Sequence, residues 1–291
     1  MLSHPEVDVY PSRVLDEPRI LDREDPVVYG DPAHGPLTQE QVASYQKNGF
    51  LFIDSVFSPA EVEAIQQAKD ILWDQPATAT RPEVIREPES DSIRSIFAVH
   101  RDDAYFKGLS QDPRLVHIAT QLLGGDVYIH QSRINFKSGF SGKEFYWHSD
   151  FETWHVEDGM PRMRALSMSL ALTENLATNG PVMVIPGSHR HYVTCVGQTP
   201  ENHYTSSLKR QVYGTPDRQS LSFLVERGGI AMPTGRPGSL LIFDCNIMHG
   251  SNSNITPYPR SNLFLVYNSV ENRLQHPFGA PMPRPDYIAT R

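Results

Sequence analysis

Apolar and polar positions change rhythm near residue 127. Before that point the spacing is helical. Leu37 to Gly49 predicts a helix with Thr38 at its cap, Gln41 closing a capping box and Gly49 as its stop. Ser58 and Pro59 open a second helix, with Glu61 completing the box and Val62, Ile65 and Leu72 as its apolar stripe. A β-rich run, Phe50 to Phe57, separates the two, and a third helix starts at Asp112 and Pro113 and stops at Gly124 and Gly125.

From Val127 onward, alternation with period two takes over. It runs through Val127 to Lys137, Ala165 to Thr173 and Asn262 to Ser269, with Gly238 to Asp244 as a further strand. In the second run Leu166, Met168, Leu170 and Leu172 face one way, and Ser167, Ser169, Ala171 and Thr173 the other. An apolar back with a small polar front suits the wall of a barrel that holds a polar ligand. Helices first and many short strands afterwards predict an α+β fold. Its core is a double-stranded β-helix (jelly-roll or cupin) over about 127–270, flanked by helices, within a single domain at 37–291. Residues 1–36 lack periodicity and read as an extended arm, ordered against the domain or against the partner subunit of a homodimer. The charged, Pro-containing stretch 75–92 reads as a loop or lid.

Composition narrows the classes. The net charge is −8 with the acids scattered and no basic stripe, so nucleic acid is not an expected partner. Cys195 and Cys245 form no CxxC pair; they read as buried small hydrophobes in a reducing cytoplasm rather than as a disulfide or zinc framework. No window approaches the roughly 20 apolar residues of a membrane span, and the amino terminus has no basic start followed by an apolar stretch. A soluble cytoplasmic protein is expected.

The chemistry concentrates at His148 and Asp150. Two positions apart in an extended segment, an imidazole and a carboxylate point to the same side and can grip one metal ion. A third ligand from elsewhere would complete a two-His-one-carboxylate facial triad, which typically marks non-haem Fe(II) oxygenases. His249 is the best candidate, 99 positions on and followed by Gly250, which lets backbone approach. Trp147, Phe151 and Trp154 supply an apolar surround, and Arg260 begins the next strand with a planar fork suited to a co-substrate carboxylate. His155, His189 and His191 are weaker ligand candidates, and Glu152, Glu157 and Asp158 read most simply as a solvated charged loop. A zinc hydrolase with the same ligands and a non-catalytic jelly-roll binding protein are the alternatives from other classes; neither needs Arg260.

In type and order, His148, Asp150, His249 and Arg260, with the run from Asn179 to His189, resemble the phytanoyl-CoA dioxygenase-like branch of Fe(II)/2-oxoglutarate oxygenases. The longer run from Trp147 to Ala165 is similar to the signature of that branch's ectoine hydroxylases. The resemblance implies Fe(II) on His148, Asp150 and His249, with O2 and 2-oxoglutarate as co-substrates. It also implies that Arg260 holds the far carboxylate of 2-oxoglutarate, assisted by Ser251, Asn135 and Ser169. The implied reaction converts ectoine to 5-hydroxyectoine with release of succinate and CO2; another small polar amine or amino acid is the nearest rival substrate. Ectoine is a cyclic amidine bearing a carboxylate. Its pocket calls for aromatic faces, with Trp154, Phe243 and Phe264 as candidates, and for polar donors, with Gln131 and Arg133 sharing a strand face with Asn135. Core packing is the commoner fate of such aromatics.

Overall fold

A computed structural model describes residues 8–87 and 89–291. Twelve strands are present among them: β1 Ile20–Asp22, β2 Phe50–Ile53, β3 Val84–Arg86, β4 Ile93–Phe97, β5 Val127–Lys137, β6 Phe145–His148, β7 Ala165–Ala171, β8 Val182–Val184, β9 His191–Val193, β10 Leu240–Asp244, β11 His249–Ser251 and β12 Arg260–Ser269. The helices are α1 Gln39–Asn48, α2 Pro59–Asp74, α3 Val99–Asp102, α4 Ala104–Leu109, α5 Pro113–Leu123, α6 Asp150–Thr153, α7 Tyr204–Ser207 and α8 Arg218–Gly228.

Both capping boxes form as the sequence predicts. Thr38 and Gln41 cap α1, Ser58 and Glu61 cap α2, and Gly49 and Gly124 end α1 and α5 in the left-handed region. Seven strands make one sheet in the order β2-β10-β7-β12-β5-β4-β3, and β6-β11-β8 make a smaller one; every pairing within them is antiparallel. The period-two pattern decides what each face of the large sheet meets. Leu166, Met168, Leu170, Leu240, Ile242, Leu263 and Leu265 pack into one core with residues of α1, α2 and α5. The opposite face carries Ser167, Ser169, Asn262, Asn135 and Arg133 into the barrel. Burying about 1.5–3 kcal/mol of apolar side chain at each of these outer positions fixes the register, because a one-residue slip would expose them all.

One expectation needs correction, and another is narrowed to one of its two alternatives. The stretch 75–92 is not simply a loop: it carries the edge strand β3, paired with β4, and a 3-10 turn at Pro76–Ala79. Its β-branched pair Val84 and Ile85 is too short an apolar run to stand out among the surrounding charges and prolines. The arm, where described, lies against its own domain, with β1 paired to β9 and Tyr10 fully buried against Phe151 and Tyr192. Among the described residues no helix is long and apolar enough to cross a membrane.

Candidate active site

β6 delivers His148 at its last position; Ser149 stays extended (φ −102°, ψ 129°), and Asp150 is the first residue of α6. The expected common facing therefore arises across a strand-to-helix junction rather than within one strand. On the neighbouring strand β11, His249 is the direct register partner of His148. Ligating atoms of His148, Asp150 and His249 all lie within 4.8 Å of one another. His148 Nε2 is 3.6 Å from Asp150 Oδ1, and His249 Nε2 is 3.8 Å from Asp150 Oδ2. Each imidazole is oriented through its other nitrogen: His148 Nδ1 lies 2.7 Å from the Tyr146 carbonyl and His249 Nδ1 3.1 Å from that of Ile247. A ring whose Nδ1–H is given to a carbonyl presents a bare Nε2 lone pair, as a metal ligand must.

The electrostatics agree. Burial pushes His249 down to about 4, with the nearby His148 adding to the shift, so the ring is neutral at physiological pH. Burial alone would raise Asp150, but His249, His148 and Arg133 together hold its carboxyl well below the usual range. Two imidazoles and one carboxylate, with separations near 4 Å and a face left open, fit a divalent iron ion. Ser149 Oγ donates to Asn246 Oδ1 (3.0 Å), and Asn246 Nδ2 donates to the carbonyls of His189 and His191 (3.0 Å each). That link ties the His148/Asp150 turn to the loop ahead of His249. His189 and His191 thus act through their backbone. His155 lies elsewhere, buried and stacked on Phe278 with Nδ1 on the Met160 carbonyl.

To one side of the metal cluster the barrel is cationic. Arg260 is buried, donates to Asn262 Oδ1 (3.1 Å) and leaves its Nε without a hydrogen-bond partner; burial pushes it down to about 10. Its register partner Lys137 is 1% exposed and donates from Nζ to Ser251 Oγ (2.7 Å) and the Asn252 carbonyl (2.6 Å). Burial, helped by Arg260, drives the Lys137 amine down to about 6. Neither cation has a carboxylate within salt-bridge distance among the described residues. Asn262 Nδ2 donates to Ser169 Oγ (2.9 Å), and Asn135 Oδ1 accepts from Ser95 Oγ (2.8 Å). One buried guanidinium, a buried amine that an arriving anion would protonate, and a ring of neutral donors and acceptors make a cradle for an anion.

To the other side a cavity reaches His148 and Asp150 between Gln131, Arg133, Trp154, Glu157, His203 and Arg284. Arg133 donates to Gln131 Oε1, whose amide donates onward to the Ile288 carbonyl (2.8 Å). Phe264 lies beneath the Arg133 guanidinium (4.8 Å) and Phe243 against the His249 ring (4.9 Å). Both form wall behind the site.

The acidic run behaves opposite to expectation. Glu152, Glu157 and Asp158 are 1%, 2% and 0% exposed. Each is neutralised by an arginine distant in sequence: Arg13 holds Glu152 (2.7 Å) and Glu157 (2.6 Å), and Arg284 holds Asp158 (2.6 Å). Sequence reasoning missed Lys137, although the alternation of Gln131, Arg133 and Asn135 continues to it. It also missed His203 and Arg284, which sit in stretches without periodicity.

Comparison with known proteins follows this geometry. The model of the family "Phytanoyl-CoA dioxygenase (PhyH)" matches residues 45–262. An ectoine dioxygenase of Sphingopyxis alaskensis is 54% identical over 285 residues, 98% of this chain and 93% of that one. The ectoine dioxygenase of Bordetella bronchiseptica is also 54% identical, over 99% of this chain and 94% of its own. A crystal structure of EctD from S. alaskensis with 2-oxoglutarate and 5-hydroxyectoine superposes with a TM-score of 0.89 at 50% identity, covering 98% of this chain and 95% of that one. The same enzyme with bound Fe gives 0.87 at 49% identity, over the same 98% and 95%. These matches also carry the jelly-roll fold. The chain belongs to the phytanoyl-CoA dioxygenase family, in the group of the ectoine dioxygenases.

Proposed function

We propose that this chain is an Fe(II)- and 2-oxoglutarate-dependent dioxygenase that hydroxylates ectoine to 5-hydroxyectoine and releases succinate and CO2. One observation carries the reading: a His-Asp-His cluster, with Asp150 and His249 buried and His148 half-buried, stands between an anion cradle without a carboxylate of its own and a mixed-charge, aromatic-walled cavity. A zinc hydrolase or a passive binding protein has no use for that cradle.

His148, Asp150 and His249 hold the iron. Once bound, the iron with 2-oxoglutarate and O2 supplies oxidative decarboxylation and the delivery of one oxygen atom to carbon. The chain's residues orient the partners. Arg260 takes the far carboxylate of 2-oxoglutarate with its fork, and Asn262, held to Ser169, keeps that fork in place. Because Lys137 already donates to Ser251 Oγ, the serine hydroxyl proton is free to point at the same carboxylate. Asn135, fixed by Ser95, borders the path to the iron. On the substrate side Trp154 offers its face to the amidinium, worth about 0.5–2 kcal/mol, while Gln131 and Arg133 present donors to the carboxylate, with Phe243 and Phe264 as apolar backing. Two unpaired buried cysteines fit a cytoplasmic enzyme.

Anaerobic loading with Fe(II) and 2-oxoglutarate, followed by O2 with and without ectoine, tests the reading. Succinate matched one-to-one by hydroxylated ectoine is the expected result. Succinate with unmodified ectoine removes the substrate; no succinate under any condition removes the reaction.

A further inference from the structure

Besides Asp150, three carboxylates crowd the ten residues that follow His148: Glu152, Glu157 and Asp158, all buried. Such a cluster is tolerable only if each charge is met. Asp158 is met by Arg284. The other two are met by one residue of the amino-terminal arm, Arg13.

The arm adopts an unusual local geometry to deliver it. Arg13 has φ +59°, a left-handed conformation that favours glycine, and its side chain is fully buried. Its backbone N–H donates to the Cys195 carbonyl (2.8 Å), and Ser12 Oγ accepts from Cys195 N–H (2.8 Å) while donating to Glu152 Oε1 (2.7 Å). All of the guanidinium nitrogens are engaged. Nε donates to Glu152 Oε1 (3.0 Å). Nη2 donates to Glu152 Oε2 (2.7 Å) and Thr153 Oγ1 (3.5 Å). Nη1 donates to Glu157 Oε1 (2.6 Å) and Thr199 Oγ1 (3.2 Å). The same Glu157 oxygen lies 2.9 Å from His203 Nδ1. A Cβ on Gly214, itself at φ +72°, would run into Arg13 Nη2 and Glu152 Oε2, so the segment closing over the hub is shaped to it.

Thr153, Glu157 and His203 line the cavity beside His148 and Asp150. We infer that Arg13 is a positioning residue for the substrate side of the active site, locking Glu157 and, through it, His203 and the 199–214 segment into the cavity wall. The charge logic is specific. With Arg13 in place, Glu157 faces the cavity already neutralised. Without it, Glu157 keeps only His203 and the more distant Arg284 as partners, so it draws on the cavity's arginines and repels a substrate carboxylate. Arg284 feels Glu157 electrostatically and is the first cation it would disturb. Lysine cannot substitute: one ammonium does not span two carboxylates with a planar fork.

The turnover part of the test rests on the hydroxylase reading; the exchange part does not. In full-length, iron-loaded enzyme, R13Q and R13K should raise KM for ectoine at least tenfold. They should also lift the succinate-to-hydroxyectoine ratio above one, with the 2-oxoglutarate requirement unchanged. E157Q keeps the Arg13–Glu152 pair and removes the carboxylate itself: it should loosen 199–214 as R13Q does but raise KM less, because no charge is left to repel substrate, and it keeps the test open if R13Q does not fold. Amide hydrogen exchange over residues 199–214 should accelerate in R13Q and R13K. Y10F removes a different anchor of the same arm, the hydroxyl bonded to Asp25 (2.9 Å), and should lower Tm without moving KM or coupling. If Arg13 variants lose stability as Y10F does but keep wild-type KM, coupling and exchange, Arg13 is a structural tether and the inference fails. If wild-type enzyme makes no product, the hydroxylase reading fails while the exchange result still decides the role of Arg13.

Discussion

Replacing Arg260 by alanine isolates the co-substrate cradle from the metal. Arg260 has one side-chain hydrogen bond to protein, to Asn262, and its Nε is unpartnered. The fork is therefore unspent until an anion arrives. Two charge-assisted bonds at about 1.5–3 kcal/mol each give roughly 3–6 kcal/mol, and at about 1.4 kcal/mol per decade that is a roughly 10²- to 10⁴-fold weaker grip on 2-oxoglutarate. Stability should move little, within about 1 kcal/mol, because loss of an uncompensated buried charge offsets the packing lost with its stem. Arg260→Lys keeps charge without the fork and should fall between. The assay is succinate release against 2-oxoglutarate concentration at saturating iron and ectoine, alongside anaerobic calorimetric titration of the iron-loaded protein. An unchanged 2-oxoglutarate dependence, or an equal loss of iron affinity, would refute the assignment.

Asp150→Ala removes the carboxylate between the two imidazoles; hydroxylation should vanish and iron stoichiometry fall, with circular dichroism unchanged. Trp154→Phe should raise KM for ectoine severalfold and leave the 2-oxoglutarate requirement alone, as steady-state kinetics with each substrate varied will show. Lys137 gives a pH signature. Its folded pKa of about 6 lies below the ordinary 10.5, so between these values the unfolded chain binds the extra proton and this site's contribution to stability rises with pH. A 2-oxoglutarate carboxylate beside the amine restores the charge, so binding near pH 8 should take up about one proton. Calorimetry in buffers of different ionisation enthalpy measures this, and Lys137→Met should abolish it; equal uptake in both proteins would refute the role.

Much of the fold was legible because burial of one face writes directly into period. Thr38, Gln41 and Gly49 mark α1 through local bonds alone, and Leu166 to Thr173 declare which side of β7 meets the helices. What stayed hidden depends on partners distant in sequence. Glu152, Glu157 and Asp158 read as solvated because their counter-ions are not the nearby Arg162 and Arg164, which pair with Asp25 and Glu271, but Arg13 and Arg284, which arrive from the two ends of the chain. The metal ligands were legible for the opposite reason, since His148 and Asp150 are held by their own local backbone and His249 needs only the neighbouring strand.

The division between co-substrate and substrate follows from strand register. On one face of β5 stand Gln131, Arg133, Asn135 and Lys137, and across β12 they meet Val266, Phe264, Asn262 and Arg260. At about 3.3 Å per residue the ladder runs some 20 Å, long enough to carry one anion site at each end with the iron between. Lys137 and Arg260 sit on the same rung, so on the proposed reading the far carboxylate of 2-oxoglutarate would meet both side chains at once. Arg133 sits two rungs away over Phe264, in the other cavity. On the proposed reading, strand register would thus keep a substrate carboxylate and a co-substrate carboxylate apart. A one-residue slip of β5 would turn these four side chains onto the helical core and bring Ile134 into the barrel. The apolar face that fixes the register therefore also places the charges.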